Sequence, residues 1–209
     1  MTRRSPLLLI ISSPSGAGKT TLCKKLLNEF KNLRFSISHT TREARSGEVD
    51  GQDYFFVSDD SFERMVENDL FIEWAHVHGN RYGTARAEIE SAAAESKNLI
   101  FDVDFQGAQK IKIQYPASVA VFVLPPSIEE LHRRLQNRGT ETPASLERRF
   151  KAALEEIGHH QLFDYLVVND ELSLAYDKIR SILVAELCRH SRTVNFAKEL
   201  LLQQPTKKT

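Results

Sequence analysis

The sequence predicts an α/β domain in which a mainly parallel sheet is flanked by helices. Short apolar runs of strand length alternate with amphipathic stretches of helix length, the order that pairs parallel strands through crossover helices. A glycine-rich turn, SPSGAGKTT at 13–21, joins the first run to the first amphipathic stretch. The 209 residues are 41% hydrophobic and 27% charged, with nine glycines and seven prolines, and such a chain can bury a core.

Taken in order, LLLII at 7–11 reads as the first strand. Two arginines stand before it, as in a secretory leader, but five apolar residues fall short of the usual h-region of about 7–15. The first helix spans 19–30. Segment 38–90 has a different character, with aromatic strand-like pieces DYFFV at 53–57 and LFIEWAHV at 70–77, a loop carrying Gly47 and Gly51, and a helix-like piece at 59–67. It reads as an inserted subdomain. Regular alternation then resumes with strand 99–103, helix 107–114, strand 119–124 and helix 128–138, for which Ser127 is the expected N-cap. The stretch NRGTETPASLERRF at 137–150 is polar and arginine-rich and reads as a mobile cover over a charged ligand. Strand 165–168 and a helix from 172 to about 190 follow. That helix could pack on the core or on a partner chain, which leaves a homo-oligomer open. The expected organisation is a core of 5–37 and 91–190, an insertion at 38–90, a cover at 137–150, and a helix end with a frayed tail at 191–209.

Lysine plus arginine and aspartate plus glutamate both number 28, so the formal net charge is zero. This argues against a broad nucleic-acid surface, which needs a basic excess. No apolar run approaches the roughly 20 residues of a membrane span. The neutrality is a sum of unlike parts: segment 38–90 carries 12 acidic and 5 basic residues, so the remainder is basic by seven. Cys23 and Cys188 show no metal-ligand spacing, which suits a reducing cytoplasm. His76, His78, His159 and His160 read as surface or packing residues, because a zinc site needs a fuller ligand set.

The strongest motif is the turn at 13–21. It follows the G-x-x-x-x-G-K-[ST] pattern except that Ser13 holds the first glycine position. Ser13, Pro14, Ser15, Gly16, Ala17, Gly18, Lys19, Thr20 and Thr21 would form a phosphate cradle. Glycine lets several backbone N–H groups turn inward, and the helix N-terminus adds positive potential. Lys19 would reach the outer phosphates, and the Thr20 hydroxyl would bind Mg²⁺. A second constellation, IFDVDFQG at 100–107, places Asp102 and Asp104 two residues apart at a strand end, on one face, near that loop. A base-reading N-K-x-D segment is missing, since VVND at 167–170 lacks the lysine, and this weakens a GTPase reading.

The third constellation, SISHTTREARSGEVDGQDYFFV at 36–57 followed by FIEWAHVHGNRYGT at 71–84, resembles the guanylate kinase family. The resemblance runs from the phosphate loop to about Asp170. It implies a P-loop kinase core with a parallel sheet, an inserted mixed α/β GMP-binding subdomain and an arginine-rich lid. It also implies transfer of the ATP γ-phosphoryl group to GMP with Mg²⁺. On the matching positions, Arg42 and Arg45 would clamp the GMP phosphate with Tyr54 and Tyr82, and Glu48 belongs to the same set. Glu73 would accept from guanine N1–H and the 2-amino group, while Ser38 and Thr84 would donate to O6. Asp102 and Asp104 match the family's D-x-D, near guanine, ribose or Mg²⁺, with Asp104 a metal candidate. Arg134, Arg138 and Arg149 would approach the ATP phosphates from the lid, and Asn169 would contact adenine. Arg133 and Arg148 read as a solvated helix face. Family-like scaffold modules that have lost part of the ATP site are the rival class; here Gly16, Gly18, Lys19 and Thr20 are all present.

Overall fold

The computed structural model describes residues 6–77, 79–136 and 143–203. In chain order the elements are β1 (Leu8–Ser12), α1 (Lys19–Glu29), β2 (Leu33–Phe35), β3 (His39–Thr40), β4 (Phe55–Phe56), α2 (Asp59–Glu67), β5 (Phe71–Val77), β6 (Asn80–Ala85) and α3 (Arg86–Ala94). They continue with β7 (Asn98–Asp102), α4 (Phe105–Gln114), β8 (Val119–Leu124), α5 (Ile128–Gln136), α6 (Pro143–Gly158), β9 (Tyr165–Val168), α7 (Leu172–Leu187) and α8 (His190–Leu202).

Five strands form a wholly parallel sheet in the order β2-β7-β1-β8-β9. From β1 the chain first builds toward β2 and β7 and then crosses to β8 and β9, so the crevice beyond the C-terminal end of β1 is the switch point where such folds bind ligands. All five residues of β1 are buried, as a central strand covered on both faces requires. Its alternation divides them between two layers. Leu9 and Ile11 pack with α1 and α7 through Leu22, Leu26, Ile179 and Leu183, while Leu8 and Ile10 pack with α4 through Ala108 and Ile111.

A second, mixed sheet of order β4-β3-β6-β5 is built from residues between His39 and Ala85. It has its own small core of Phe62, Phe71 and Ala85, flanked by Val57, Met65 and Trp74. α2 begins at an N-cap whose Ser58 hydroxyl accepts from the Ser61 amide at 3.2 Å, with Asp59 and Asp60 in the positive first turn.

The structure departs from the sequence expectation in several places. The segment read as a polar cover becomes the 16-residue helix α6 from Pro143 onward, and 137–142 lie outside the described residues. Leu146, Phe150, Ala153 and Ile157 recur at helical spacing and pack on Leu131 and Leu135 of α5, an apolar stripe hidden among arginines and glutamates. Helix α4 starts two residues before the expected Gly107, because the Asp104 carboxylate caps it by accepting from the Gly107 amide at 2.9 Å. The helix expected at 172 to about 190 ends at Leu187 and a separate helix, α8, runs on from His190. Arg189, at φ −53° and ψ 136°, leaves the helical region there, and the turn lets Arg192 Nη2 donate to the Ala117 carbonyl at 2.9 Å. α7 packs on the core through Ala175, Ile179 and Leu183. The tail at 204–209 lies outside the described residues.

Candidate active site

The phosphate loop, the end of β7, the start of α4 and helix α6 border a cleft of about 280 Å³ lined by Ser13, Pro14, Ser15, Gly16, Gly18, Lys19, Thr20, Asp102, Asp104 and Glu156. Gly16 and Gly18 have φ of 91° and 92°, the left-handed region that glycine adopts without strain. Gly18 is the N-cap of α1, and the first turn of that helix holds no acidic side chain to occupy its free N–H groups. Ala17 lies buried beneath the loop and Thr21 faces outward, so neither lines the cleft.

Lys19 forms an ion pair with Asp102. Burial works against its ammonium, but the Asp102 carboxylate more than offsets this and raises the lysine above its ordinary value. The two acidic residues are not on one strand face: Asp102 ends β7 and Asp104 caps α4, yet both reach the cleft. Helix α6 contributes Arg149, whose Nη2 donates to Ser15 Oγ at 2.7 Å. Arg134 donates to Glu130 at 2.6 Å and to the Asn169 carbonyl at 3.1 Å. Arg133 also pairs with Glu130, and the two arginines hold that carboxyl at about 2. Arg138 lies outside the described residues.

Asn169 also braces the protein itself. Its side chain is buried and its amide donates to the Ala17 carbonyl at 2.7 Å, bracing the phosphate loop from below. Glu156 is a cleft residue that the sequence reading missed. Burial pushes its carboxyl up to about 7, Lys19 opposes this, and Asp104 and Glu155 add to it. Glu156 stands seven residues after Arg149, two helical turns along the same face of α6, a signal readable only once α6 is known to be a helix.

The second half of the site lies on the small sheet. β3 pairs antiparallel with β6 at His39↔Gly83, and β6 pairs with β5 at Thr84↔Glu73. Thr84 and Glu73 thus stand opposite one another, and Ser38 immediately precedes β3, its carbonyl accepting from the Phe55 amide at 2.9 Å. Glu73 is 6% exposed, and its Oε1 accepts from Thr84 Oγ1 at 2.6 Å. Burial raises its pKa, with Asp104 adding, while the Thr84 hydroxyl and Lys110 oppose. The Thr84 proton is directed to Glu73, whose buried carboxylate is a strong acceptor.

Arg42 donates to Glu48 Oε1 at 2.9 Å and lies 5.4 Å from the Tyr54 ring centroid, and Tyr54 meets Tyr82 edge-on at 5.9 Å. Glu48 also accepts from the Arg45 amide at 2.7 Å, while the Arg45 side chain is exposed. The Tyr54 hydroxyl is raised first by burial and then by the charge of Asp102.

A parallel sheet, a glycine-rich phosphate loop at its switch point and an arginine-bearing helix over that loop define a P-loop kinase. A family model described as guanylate kinase matches residues 5–186. The chain belongs to the guanylate kinase family. It is 46% identical over 198 residues to the guanylate kinase of Geobacter sulfurreducens, covering 95% of this chain and 98% of that one. Identity to the guanylate kinase of Geobacter metallireducens is 47%, over 94% and 97% of the two chains. The crystal structure of guanylate kinase from Anaplasma phagocytophilum superposes with a TM-score of 0.77 at 35% identity, covering 98% of each chain. Among the described residues, no helix is long and apolar enough to cross a membrane.

Proposed function

We propose that this chain transfers the γ-phosphoryl group of ATP to GMP, giving ADP and GDP, and accepts dGMP as well. The reading rests on one observation: an intact phosphate loop accompanies a cross-strand pair, Thr84 and Glu73, whose buried carboxylate suits a guanine edge, with Ser38 just before β3. Ionised Glu73 accepts from N1–H and the 2-amino group, held in place by Thr84, and Ser38 donates to O6. Adenine presents an amino group where O6 would be and lacks the 2-amino donor, so it leaves buried polar groups unpaired. Arg42 and Arg45, with Tyr54 and Tyr82, clamp the GMP phosphate in line for attack.

Phosphoryl transfer needs little covalent chemistry from the protein and much charge stabilisation. The cradle N–H groups and Lys19 hold the ATP phosphates, and these oxygens replace Asp102 as the partner of Lys19. Arg134, Arg138 and Arg149 neutralise the transferring group from the lid side. The Thr20 hydroxyl and the Asp104 carboxylate, both hard oxygen donors on the same cleft, fit Mg²⁺, which would be completed by phosphate oxygens and water. When bound, the ion neutralises charge on the phosphates. We expect the small sheet and the arginine lid to close on the core once both nucleotides are present, excluding water as an acceptor. Two free thiols support work in a reducing cytoplasm, and transfer to GMP would serve purine nucleotide metabolism and GMP recycling.

The deciding experiment measures ADP release with a panel of nucleoside monophosphates. Turnover with GMP and dGMP and little with AMP, CMP or UMP is expected; comparable turnover with AMP would overturn the reading.

A further inference from the structure

One face of α4 takes no part in the phosphate chemistry: Gly107, Lys110 and Gln114, spaced three and four residues apart. All three meet a single strand. β5 is an edge of the small sheet, so the carbonyls on its outer side have no ladder partner. Gln114 Nε2 donates to the Ile72 carbonyl at 2.6 Å. Lys110 Nζ donates to the Trp74 carbonyl and lies 5.6 Å from the indole centroid. The residue between these two anchored carbonyls is Glu73. Its carboxylate comes so close to α4 that a Cβ on Gly107 would sit 3.2 Å from Glu73 Oε2.

A carboxylate that accepts from two guanine N–H groups has to be ionised, and burial opposes that. The groups acting on Glu73 are Asp104 at the start of α4, which opposes ionisation further, and the Thr84 hydroxyl and Lys110, which favour it. Among them Lys110 is the cation.

We propose that Lys110 is a specificity-determining positioning residue, which anchors β5 on α4 from outside the cleft and supplies the counter-charge for the base-reading carboxylate of Glu73. The proposal rests on the reading of Glu73 as the guanine acceptor. Lys110 is exposed, so its charge is screened and its effect is graded.

The test is the pH profile of KM for GMP, with KM for ATP and kcat measured alongside. Lys110→Met is expected to raise KM for GMP about two- to fivefold near neutral pH. It should also move the acid-side rise of that KM to higher pH, with KM for ATP and kcat unchanged. Lys110→Arg keeps the charge and should restore the profile. Gln114→Met removes the neighbouring anchor without a charge and should leave the position of the acid limb where it was. A wild-type profile in Lys110→Met, or an equal shift of the limb in Gln114→Met, overturns the proposal. Glu73→Gln separates the two levels: if it weakens GMP binding and Lys110→Met does not, Lys110 alone is misassigned, whereas no effect of Glu73→Gln overturns both readings.

Discussion

The phosphate cleft is tied together across the whole chain, while the guanine-side sheet holds its polar groups over short separations. Asn169 reaches back 152 residues to the Ala17 carbonyl, and Arg149 reaches 134 residues to Ser15. In the small sheet the corresponding ties are Arg42 to Glu48, six residues apart, and Thr84 to Glu73, eleven apart. The two regions also rest on different cores. β1 is packed on both faces by helices, whereas the small sheet closes over Phe62, Phe71 and Ala85. The cleft is thus held by ties between segments distant in the chain, and a substitution there should read out as chemistry. The sheet is organised locally and bolted to the core by α4, so changes there should read out as recognition.

The contrast can be broken first at the loop. Lys19→Ala should lower kcat by about 100- to 1,000-fold, the usual cost of losing one charged group aimed at the transition state. The far-ultraviolet circular dichroism should stay unchanged; near-wild-type turnover would mean that the cleft does not carry the reaction.

On the sheet, Glu73→Gln should raise KM for GMP about 10- to 100-fold while KM for ATP moves little, because an amide then faces the guanine donors. The same variant should gain thermal stability at neutral and higher pH. Glu73 has a folded-state pKa above its unfolded one, so its contribution is present below the unfolded value and lost as pH rises through the folded value. Glutamine has no such loss. A melting temperature below wild type at pH 8 would contradict the burial argument.

Gly107→Ala tests the bolt between the two regions. Alanine in a helix interior is ordinarily favoured over glycine by about 1 kcal/mol. Here its Cβ would meet Val103 Cβ at 2.9 Å and Glu73 Oε2 at 3.2 Å. The sign should reverse, with a loss of about 1–3 kcal/mol from overpacking and weaker GMP binding. Denaturant midpoints together with KM for GMP check both.

The smallest effect is expected at Glu156. Its carboxyl rises from 4.5 to about 7, so wild type should lose stability relative to Glu156→Gln as pH climbs between those values, with a constant difference above. Partial exposure keeps that difference small. Melting curves from pH 4 to 8 would show a gap that opens with pH; one that closes would refute the shift.

Much of the phosphate side is legible in one dimension. A strand, the loop at 13–21 and the helix after it are contiguous, and each of their signals is local: an apolar run, glycines at positive φ, a lysine at a helix start. Strands 119–124 and 165–168 fall where the sequence puts them because both are apolar runs paired in the parallel sheet, the first buried and the second at its edge. β3, β6 and α3 carry no such local signal. The two-residue β3 and the polar β6, NRYGTA, are held by partners on either side. α6 was obscured because arginine and glutamate dominate its composition, and its stripe is visible only when α5 is there to receive it.

By itself the sequence determined the α/β class, the phosphate loop and the family, since these depend on periodicity, on glycine conformation and on residues at fixed spacing. Tertiary structure alone decided that Asp102 pairs with Lys19, that Asn169 braces the loop, that Glu156 enters the cleft, and that Lys110 and Gln114 clamp the strand of Glu73. The reason is physical. Burial and charge pairing between distant segments arise only when the chain has closed on itself, and they set how a carboxylate or an ammonium behaves.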